Sequence, residues 1–477
     1  MEYISIEMGQ GKLARRLSMK GEKKPKKVSD FATPYTVTNA ITKGGVFTKL
    51  SMLVMGLGNI AHKQVIKGLL FLAIEVAYIL FMVKYGVKCL AMLPSLGTVE
   101  QQEVFNEKTQ VYEYILGDQS VLILLYGVAT IGITLAFFFM WREALKSAYM
   151  AECLTKQGHK VNNFKGDCKD LLDKNLHKSL LFLPVAGILI FTILPLLFMI
   201  PMAFTDYSDI NNKLVLFDWV GLDNFKTVLG MGGKLGNTFW SVLGWTLIWA
   251  FFATFLNFFF GMILAIVINR KGTRLKGFWR TCFVISIAVP QFVSLLVMRQ
   301  MLQRQGAVNN LLLELGWIDN PLPFWTNTTW ARVSVILINC WVGIPYSMLQ
   351  VTGILQNVPA ELYEAAKIDG ANPVQIFFKI TLPYIMFIMG PYIITQFTGN
   401  INNFNVIYLL SGGNPTPVGS TAGKTDLLVT WLYKLTIDFQ YYNLGAVIGI
   451  LTFVVLSIVA LVTYRNTASY KDEEGFQ

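Results

Sequence analysis

Residues 364–383 read EAAKIDGANPVQIFFKITLP and form a short polar, turn-forming stretch between two strongly apolar segments. Pro359 precedes residues with good helix propensity, and proline is favoured in the first turn of a helix. Gly370 can adopt the left-handed conformation that ends a helix, and Asn372 followed by Pro373 is typical of the start of another. The stretch therefore predicts a short helix beginning near Pro359, a hinge at Gly370 and a second helix that continues into the next apolar segment.

The first of these short helices has a small apolar face, to which Leu362, Ala365, Ala366 and Ile368 contribute. On a loop, such a face needs either the bilayer surface or a groove on another protein. The spacing of the residues by itself leaves both alternatives open.

The composition predicts an all-α, polytopic membrane protein. Hydrophobic residues make up 54% of the 477 residues and charged residues only 14%, so the apolar surface cannot be buried in one soluble core. A membrane-spanning helix needs roughly 20 apolar residues. Eight segments meet this requirement: approximately residues 65–87, 119–141, 179–204, 239–268, 278–298, 331–355, 377–399 and 443–464.

The basic residues predict the orientation, because cytoplasmic loops retain lysine and arginine. With the N-terminus inside, 28 of the 40 lysines and arginines fall on inside segments and 10 on outside loops. Both termini and residues 364–383 are therefore expected in the cytoplasm. This excess accounts for much of the net charge of +11, so no nucleic-acid partner is needed to explain it.

The N-terminal region departs from the simple spanning pattern. The basic run from Lys12 to Lys27 lacks the apolar core of a signal peptide and predicts a disordered arm near anionic lipid. Residues 46–61 are apolar but interrupted by glycines, which favours an interfacial or re-entrant helix over a ninth span. Glu75 lies inside the first predicted span, where we expect it to make a polar contact with a partner helix.

No pattern of catalytic or metal-binding residues is found. The five cysteines form no CxxC pair, and the three histidines are scattered, so neither a disulfide framework nor a zinc site is indicated. Gly423-Lys424-Thr425 resembles the end of a phosphate-binding loop, but the earlier glycine that such a loop requires would fall at Val418. If ATP is used, another chain must bind it.

Several stretches resemble the permease subunits of ATP-binding-cassette importers. Similarity extends over roughly residues 179–465, with the larger membrane subunits of bacterial maltose and maltodextrin importers as the most similar group. It includes residues 183–207, 220–225, 341–346, 402–404 and 425–429. The signature loop of the family is matched at Glu364, Ala365, Ala366, Gly370, Ile380, Leu382 and Pro383.

The resemblance implies the fold of a type I importer permease in the cell membrane of a bacterium, with a sugar site between the spans. Amides suit a neutral sugar because they both donate and accept hydrogen bonds, and tyrosine adds a ring for stacking. For any single amide, hydrogen bonding to a neighbouring helix is an equal alternative. The matching positions are Ile287, Gln291, Asn339, Val342, Gly343, Tyr346, Gln396, Asn400 and Asn403.

The resemblance also implies partners. They are a second, homologous permease, two ATPase subunits that hold the ATP and magnesium, and an extracellular sugar-binding protein, with no cofactor in this chain. Malto-oligosaccharide is the expected cargo, and another oligosaccharide or glycerol-phosphate is the alternative. The residues expected to couple to the ATPase are Glu361, Leu362, Glu364, Ala365, Ala366, Asp369, Gly370, Ile380, Leu382 and Pro383.

Five segments follow from this organisation. They are residues 1–45 as a basic arm, 46–178 as a region with two spans and a cytoplasmic loop, 179–465 as the permease core with six spans, 356–383 as the coupling loop within that core, and 466–477 as a cytoplasmic tail. An ion-coupled secondary transporter is a remote alternative, because such proteins usually need acidic groups within the membrane. A membrane enzyme is a third class, weakened by the lack of a catalytic constellation.

Overall fold

The computed structural model describes residues 35–100, 102–106, 110–115, 117–270 and 272–465. The predicted arm is therefore described only from residue 35, and the predicted tail at 466–477 lies outside the described residues. The chain forms two compact units, one from residues 1–92 and 126–194 and the other from residues 93–125 and 195–477.

The first unit is helical. Its helices are α1 (Val37–Lys43), α2 (Val46–Leu50), α3 (Leu57–Ala61), α4 (Val65–Met92), α5 (Ser120–Lys156), α6 (Phe164–Leu172) and α7 (Leu176–Met202), of which α5 and α7 contribute residues to both units.

The second unit contains the remaining elements. These are the strands β1 (Gln102–Asn106) and β2 (Val111–Ile115) and the helices α8 (Asp223–Leu229), α9 (Lys234–Asn269), α10 (Lys276–Ala288), α11 (Gln291–Met301), α12 (Ala307–Glu314), α13 (Thr328–Asn357), α14 (Ala360–Ile368), α15 (Pro373–Ile401), α16 (Phe404–Leu410), α17 (Leu428–Tyr433) and α18 (Tyr442–Arg465), with short 3₁₀ and π segments at Ile210–Asn212 and Lys434–Asp438.

The predicted spans are confirmed in number. Within the described residues, seven continuous helices are long and apolar enough to cross a membrane, and the bent pair α10 and α11 is an eighth if it is counted as one span. The sequence pattern did not predict the antiparallel hairpin of β1 and β2, in which Gln102 pairs with Ile115. The large apolar side chains described in this hairpin, Val104, Phe105, Val111 and Tyr112, are all exposed, so among them no buried face produces the alternation that predicts a strand.

Two N-terminal predictions need correction. Residues 37–43 were assigned to a disordered arm but form α1, because Ala40 is buried against residues distant in the sequence, Leu145 and Tyr149. Residues 46–61 are not among the spanning helices, as predicted, but they form two short helices, α2 and α3, and not one helix. Gly56 separates them with a left-handed backbone (φ 87°) that a continuous helix could not contain.

Two buried carboxylates anchor the N-terminal helices within the first unit. Glu75 accepts a hydrogen bond of 2.7 Å from the backbone N–H of Met55, so its partner is a turn and not a neighbouring helix as expected. Glu152 accepts from the backbone N–H of Gly45 at 2.9 Å and from the Thr48 hydroxyl. These carboxylates satisfy donors that the interrupted helices leave unpaired.

Close packing of α9 against α13 forms the centre of the second unit. A Cβ atom added to Gly261 of α9 would lie 2.5 Å from the Cβ of Ser347, and one added to Gly343 of α13 would lie 2.0 Å from Nδ2 of Asn257. A larger residue at Gly261 would press on the backbone of α13, whereas one at Gly343 would displace the Asn257 side chain. Small residues are how spanning helices achieve such close approach, since lipid supplies no hydrophobic force between them.

A buried ion pair holds the segment between α16 and α17. The carboxylate of Asp426 is completely buried and accepts from the Lys434 ammonium at 2.7 Å, the Gly423 N–H at 2.6 Å and the Thr430 hydroxyl at 2.9 Å. Lys434 also donates to the backbone carbonyl of Gly412 at 2.8 Å. Burial raises the pKa of Asp426, whereas Lys434 and the hydrogen bonds act to lower it.

Removing the cation of this pair should destabilise the protein. Lys434→Met would leave the buried Asp426 carboxylate without its charge partner, and we expect a loss of about 3–5 kcal/mol in the free energy of unfolding. Thermal and denaturant unfolding of the purified protein measures this loss. The double variant Asp426→Asn/Lys434→Met removes both charges and should recover part of the stability. Equal losses in the single and double variants would show that the pair's charge is not what matters.

Candidate functional site

A cavity of about 340 Å³ lies among the spanning helices of the second unit. Its wall is built from α9, the junction between α10 and α11, α13 and α15, together with Asn403 just after α15. Its volume is at the lower end of the range found for small-molecule sites, which occur frequently between the helices of a bundle.

All nine positions proposed for substrate binding line this one cavity. Four helices supply eight of them and Asn403 follows α15, although these positions are as much as 116 residues apart in the sequence. Their contact with a substrate stays a prediction. They are Ile287, Gln291, Asn339, Val342, Gly343, Tyr346, Gln396, Asn400 and Asn403.

The break between α10 and α11 places Gln291 in the wall. Proline lacks the N–H that a continuous helix would use, and Pro290 separates two helices bent by 86°. Val289 is extended at the junction, and both Val289 and Gln291 line the cavity. Irregular backbone within a membrane is tolerated where it lines a cavity, because its polar groups are then not exposed to lipid. In contrast, α13 continues through Pro345 without interruption.

Asn400 belongs to a hydrogen-bonded network and is 8% exposed. Its Nδ2 donates to the hydroxyl of Thr254 on α9 at 2.9 Å, and its Oδ1 accepts from Nδ2 of Asn403 at 3.3 Å. Its backbone carbonyl accepts from the Trp249 indole at 3.1 Å. Asn403 also caps α16 by accepting from the Val406 N–H at 3.2 Å. For Asn400 and Asn403 the structural role is therefore evident in the structure.

Three other predicted side chains are open to the cavity. Gln291 and Gln396 are exposed, and Tyr346 is 46% exposed. Their polar groups are thus accessible to a molecule that enters. These three residues are better placed for direct recognition than the buried Asn400.

The described lining residues carry no charge, since Asp, Glu, Lys, Arg and His are all absent from them. Seven of them are asparagine or glutamine, and four aromatic side chains are also present. Amides donate and accept hydrogen bonds, and aromatic faces stack on flat apolar surfaces. The wall is therefore suited to a neutral molecule with many hydroxyl groups.

The contribution of α9 was missed by the sequence analysis. Ala253, Thr254, Asn257 and Phe258 all line the cavity from this helix. The signal that could have revealed them is the occurrence of Thr254 and Asn257, three residues apart and so on one helix face, in an otherwise apolar span. The residues that carry the family resemblance do not include this pair, so it was not selected.

The polar stretch at 360–383 folds as its residues predict. The short helix α14 ends at Ile368, Gly370 is left-handed (φ 77°), and the Asn372 and Gln375 side chains cap the start of α15 reciprocally. On α14, Ile368 is 86% exposed. The hydroxyl of Tyr363 lies 3.2 Å from that of Thr381, which joins this helix to α15.

A family model described as "Binding-protein-dependent transport system inner membrane component" matches residues 257–468, which include most of the cavity wall and all of α14. A relative from Bacillus subtilis (strain 168), the galactooligosaccharides transport system permease protein GanP, is 36% identical over 427 residues, or 89% of this chain and 98% of the relative. The chain belongs to this family. It is a multi-pass protein of the cell membrane.

Two further comparisons agree with this membership. The maltodextrin transport system permease protein MdxF of Bacillus subtilis (strain 168) is 34% identical over 456 residues, covering 92% of this chain and 99% of the relative. A solved structure of a bacterial ABC transporter involved in the import of the acidic polysaccharide alginate is 23% identical, with a TM-score of 0.50, and covers 63% of this chain and 97% of that chain. This likeness supports the permease fold.

The two classes of cavity amide should differ in their effect on stability. Asn400→Leu removes the partners of Thr254 and Asn403, and we expect a loss of about 1–3 kcal/mol in the free energy of unfolding. Gln396→Leu, a matched change on the same helix at an exposed position, should change stability little. Unfolding of the two purified variants makes the comparison. Similar losses in both would contradict the different roles assigned to them.

Proposed function

We propose that this chain is a permease subunit of an ATP-driven importer for neutral oligosaccharides. The observation that carries the proposal is the uncharged, amide-rich and aromatic cavity among the spans of a chain from the binding-protein-dependent transport family. The other subunits would be a second, homologous permease, two ATPase subunits and an extracellular sugar-binding protein.

The cavity chemistry restricts the cargo. A phosphorylated substrate such as glycerol-phosphate, or an acidic saccharide, calls for lysine or arginine at the site. The lining residues described above include neither. Hydroxyl groups, in contrast, would find the amide partners they need at Gln291, Asn339 and Gln396. A neutral sugar is therefore favoured over both charged alternatives.

Malto-oligosaccharide is the first candidate and galacto-oligosaccharide the second. The relatives named for transport of maltodextrin and of galactooligosaccharides have nearly the same identity to this chain, 34% and 36%. The side chains on the wall are compatible with either series, since both offer hydroxyl groups and sugar faces for stacking. A direct comparison of the two series is thus the informative screen.

An ion-coupled mechanism is disfavoured by the spans themselves. Helices α9, α13, α15 and α18 contain no aspartate or glutamate. Membrane-embedded acidic groups are what secondary transporters generally use to bind the coupling ion. ATP used by a partner subunit is the energy source consistent with this composition.

The segment from α14 to α15 would connect the ATPase to the cavity. Leu362 and Ile368 leave exposed apolar surface on α14, for which an ATPase groove is the proposed occupant. The contact between the hydroxyls of Tyr363 and Thr381 ties α14 to α15. Since α15 carries Gln396, a movement of α14 would reach the cavity wall. ATP binding must favour one conformation of the assembly for this movement to occur.

Stimulation of ATP hydrolysis tests the function. The assembled importer, reconstituted in vesicles with its binding protein, is assayed with malto- and galacto-oligosaccharides of increasing length and with glycerol-phosphate. We expect at least one neutral series to stimulate hydrolysis and to be transported, and glycerol-phosphate to do neither. If no neutral oligosaccharide stimulates ATP hydrolysis or is transported, the proposal is contradicted. Transport by the isolated chain on a sodium or proton gradient would contradict the ATP-driven mechanism.

The turn at Gly370 provides a test of coupling. Gly370→Pro cannot adopt the observed φ of 77° and also loses the N–H that donates to the carbonyl of Lys367, so transport should fall to background. Gly370→Asn keeps the N–H and tolerates the left-handed conformation, so it should retain most activity. Both variants should insert in the membrane in normal amounts. Normal transport by the proline variant would remove the turn from the mechanism.

A further inference from the structure

Two amides in the cavity wall have unpaired atoms. Oδ1 of Asn257 on α9 and Nδ2 of Asn339 on α13 are buried and have no hydrogen-bond partner. Asn339 is 4% exposed. Buried polar atoms in proteins are nearly always paired, so each exception calls for an explanation. Here one of the atoms is an acceptor that lacks a donor, and the other is a donor that lacks an acceptor.

The two amides lie on α9 and α13, near the same glycine of α13. Nδ2 of Asn257 would lie only 2.0 Å from a Cβ atom added to Gly343, so the Asn257 side chain occupies the space that this glycine leaves on α13. Asn339 lies four residues before Gly343, one helical turn away on the same face. Both asparagines line the same cavity.

We propose that Asn257 is a further substrate-binding residue and that, with Asn339, it holds one hydroxyl group of a neutral saccharide. The hydroxyl hydrogen would be donated to Oδ1 of Asn257, and its oxygen would accept from Nδ2 of Asn339. A hydroxyl is both donor and acceptor, so it completes the pair. Both atoms are covered by protein in this structure. The last torsion of an asparagine side chain is soft, so amide rotation can turn them towards the cavity.

Gly343 is a positioning residue in this arrangement. It permits α9 and α13 to approach, and it leaves space for the Asn257 amide beside Asn339. A methyl group at position 343 would displace the amide without removing it. The effect of Gly343→Ala on substrate binding should therefore depend on the presence of Asn257.

A control amide is available on the same helix. Asn269 of α9 donates to the hydroxyl of Thr352 on α13 at 3.1 Å and does not line the cavity. It therefore joins α9 to α13, and by accepting from Arg280 also to α10, without access to substrate. If Asn257 only held α9 against α13, replacing Asn257 or Asn269 by alanine should change the KM to the same extent.

The inference rests on the proposed function, so its test begins with the saccharide that the assembled wild-type importer transports best. Asn257→Ala is expected to raise the KM for this saccharide about tenfold, the usual scale for the loss of one well-used hydrogen bond. Asn269→Ala should leave the KM unchanged. Asn257→Ser keeps a short polar side chain between α9 and α13. It serves as a second variant and should give a KM between those of the wild type and Asn257→Ala.

Two further measurements separate a binding role from a structural one. The first uses a series of saccharides that each lack a different hydroxyl group. The saccharide without the hydroxyl that Asn257 binds should have the same KM in the wild type and in Asn257→Ala, because that hydrogen bond is already absent. Gly343→Ala should raise the KM in the wild-type background and raise it no further in Asn257→Ala, since interacting positions are not additive.

The outcomes distinguish this inference from the function on which it depends. An unchanged KM in Asn257→Ala and Asn257→Ser, with normal saccharide transport by the wild type, would overturn the role of Asn257 alone. Equal effects of Asn257→Ala and Asn269→Ala would also overturn it in favour of helix packing. Absence of transport of any neutral saccharide by the wild type would overturn the proposed function and this inference together.

Discussion

The second unit depends on the close approach of α9 and α13. Gly261 lacks the side-chain atoms that would press on the backbone of α13, and Gly343 leaves space for the Asn257 side chain. Within lipid, helices gain little from hydrophobic burial against one another, so their association relies on close packing and on polar contacts. The cavity lies beside this contact, since Gly343 and Ser347 line it.

Polar residues along these helices have two separate roles. Asn400 makes hydrogen bonds to its neighbours and fixes α15 beside α9, whereas Gln396, one turn earlier, is exposed to the cavity. Two amide side chains of the same helix thus differ, since Asn400 stabilises the structure and Gln396 is accessible from the cavity. The distinction follows from burial and partners, which amino-acid identity alone does not specify.

Much of the fold was predictable from local chemistry. Long apolar runs predicted the spans, and Pro359, Gly370 and Asn372 predicted the short helix, the left-handed turn and the capped start of α15. These features were accessible because each one is decided by neighbouring residues.

Features that depend on distant residues were not predictable in the same way. The helix α1 owes its order to burial of Ala40 against α5, and the exposed strands β1 and β2 lack an alternating pattern. At the cavity, the resemblance to sugar permeases selected positions on α13 and α15 but left out α9. The Asn257 side chain lies in the space left by Gly343, which is 86 residues later in the sequence.

We propose that the uncharged cavity among α9, α13 and α15 holds the transported saccharide. A structure of the assembled importer with its oligosaccharide trapped in the membrane tests this most directly. We expect sugar hydroxyls within hydrogen-bonding distance of Asn339 and Gln396 and a sugar ring beside Tyr346. A saccharide bound in the membrane without contact to these three residues would contradict it.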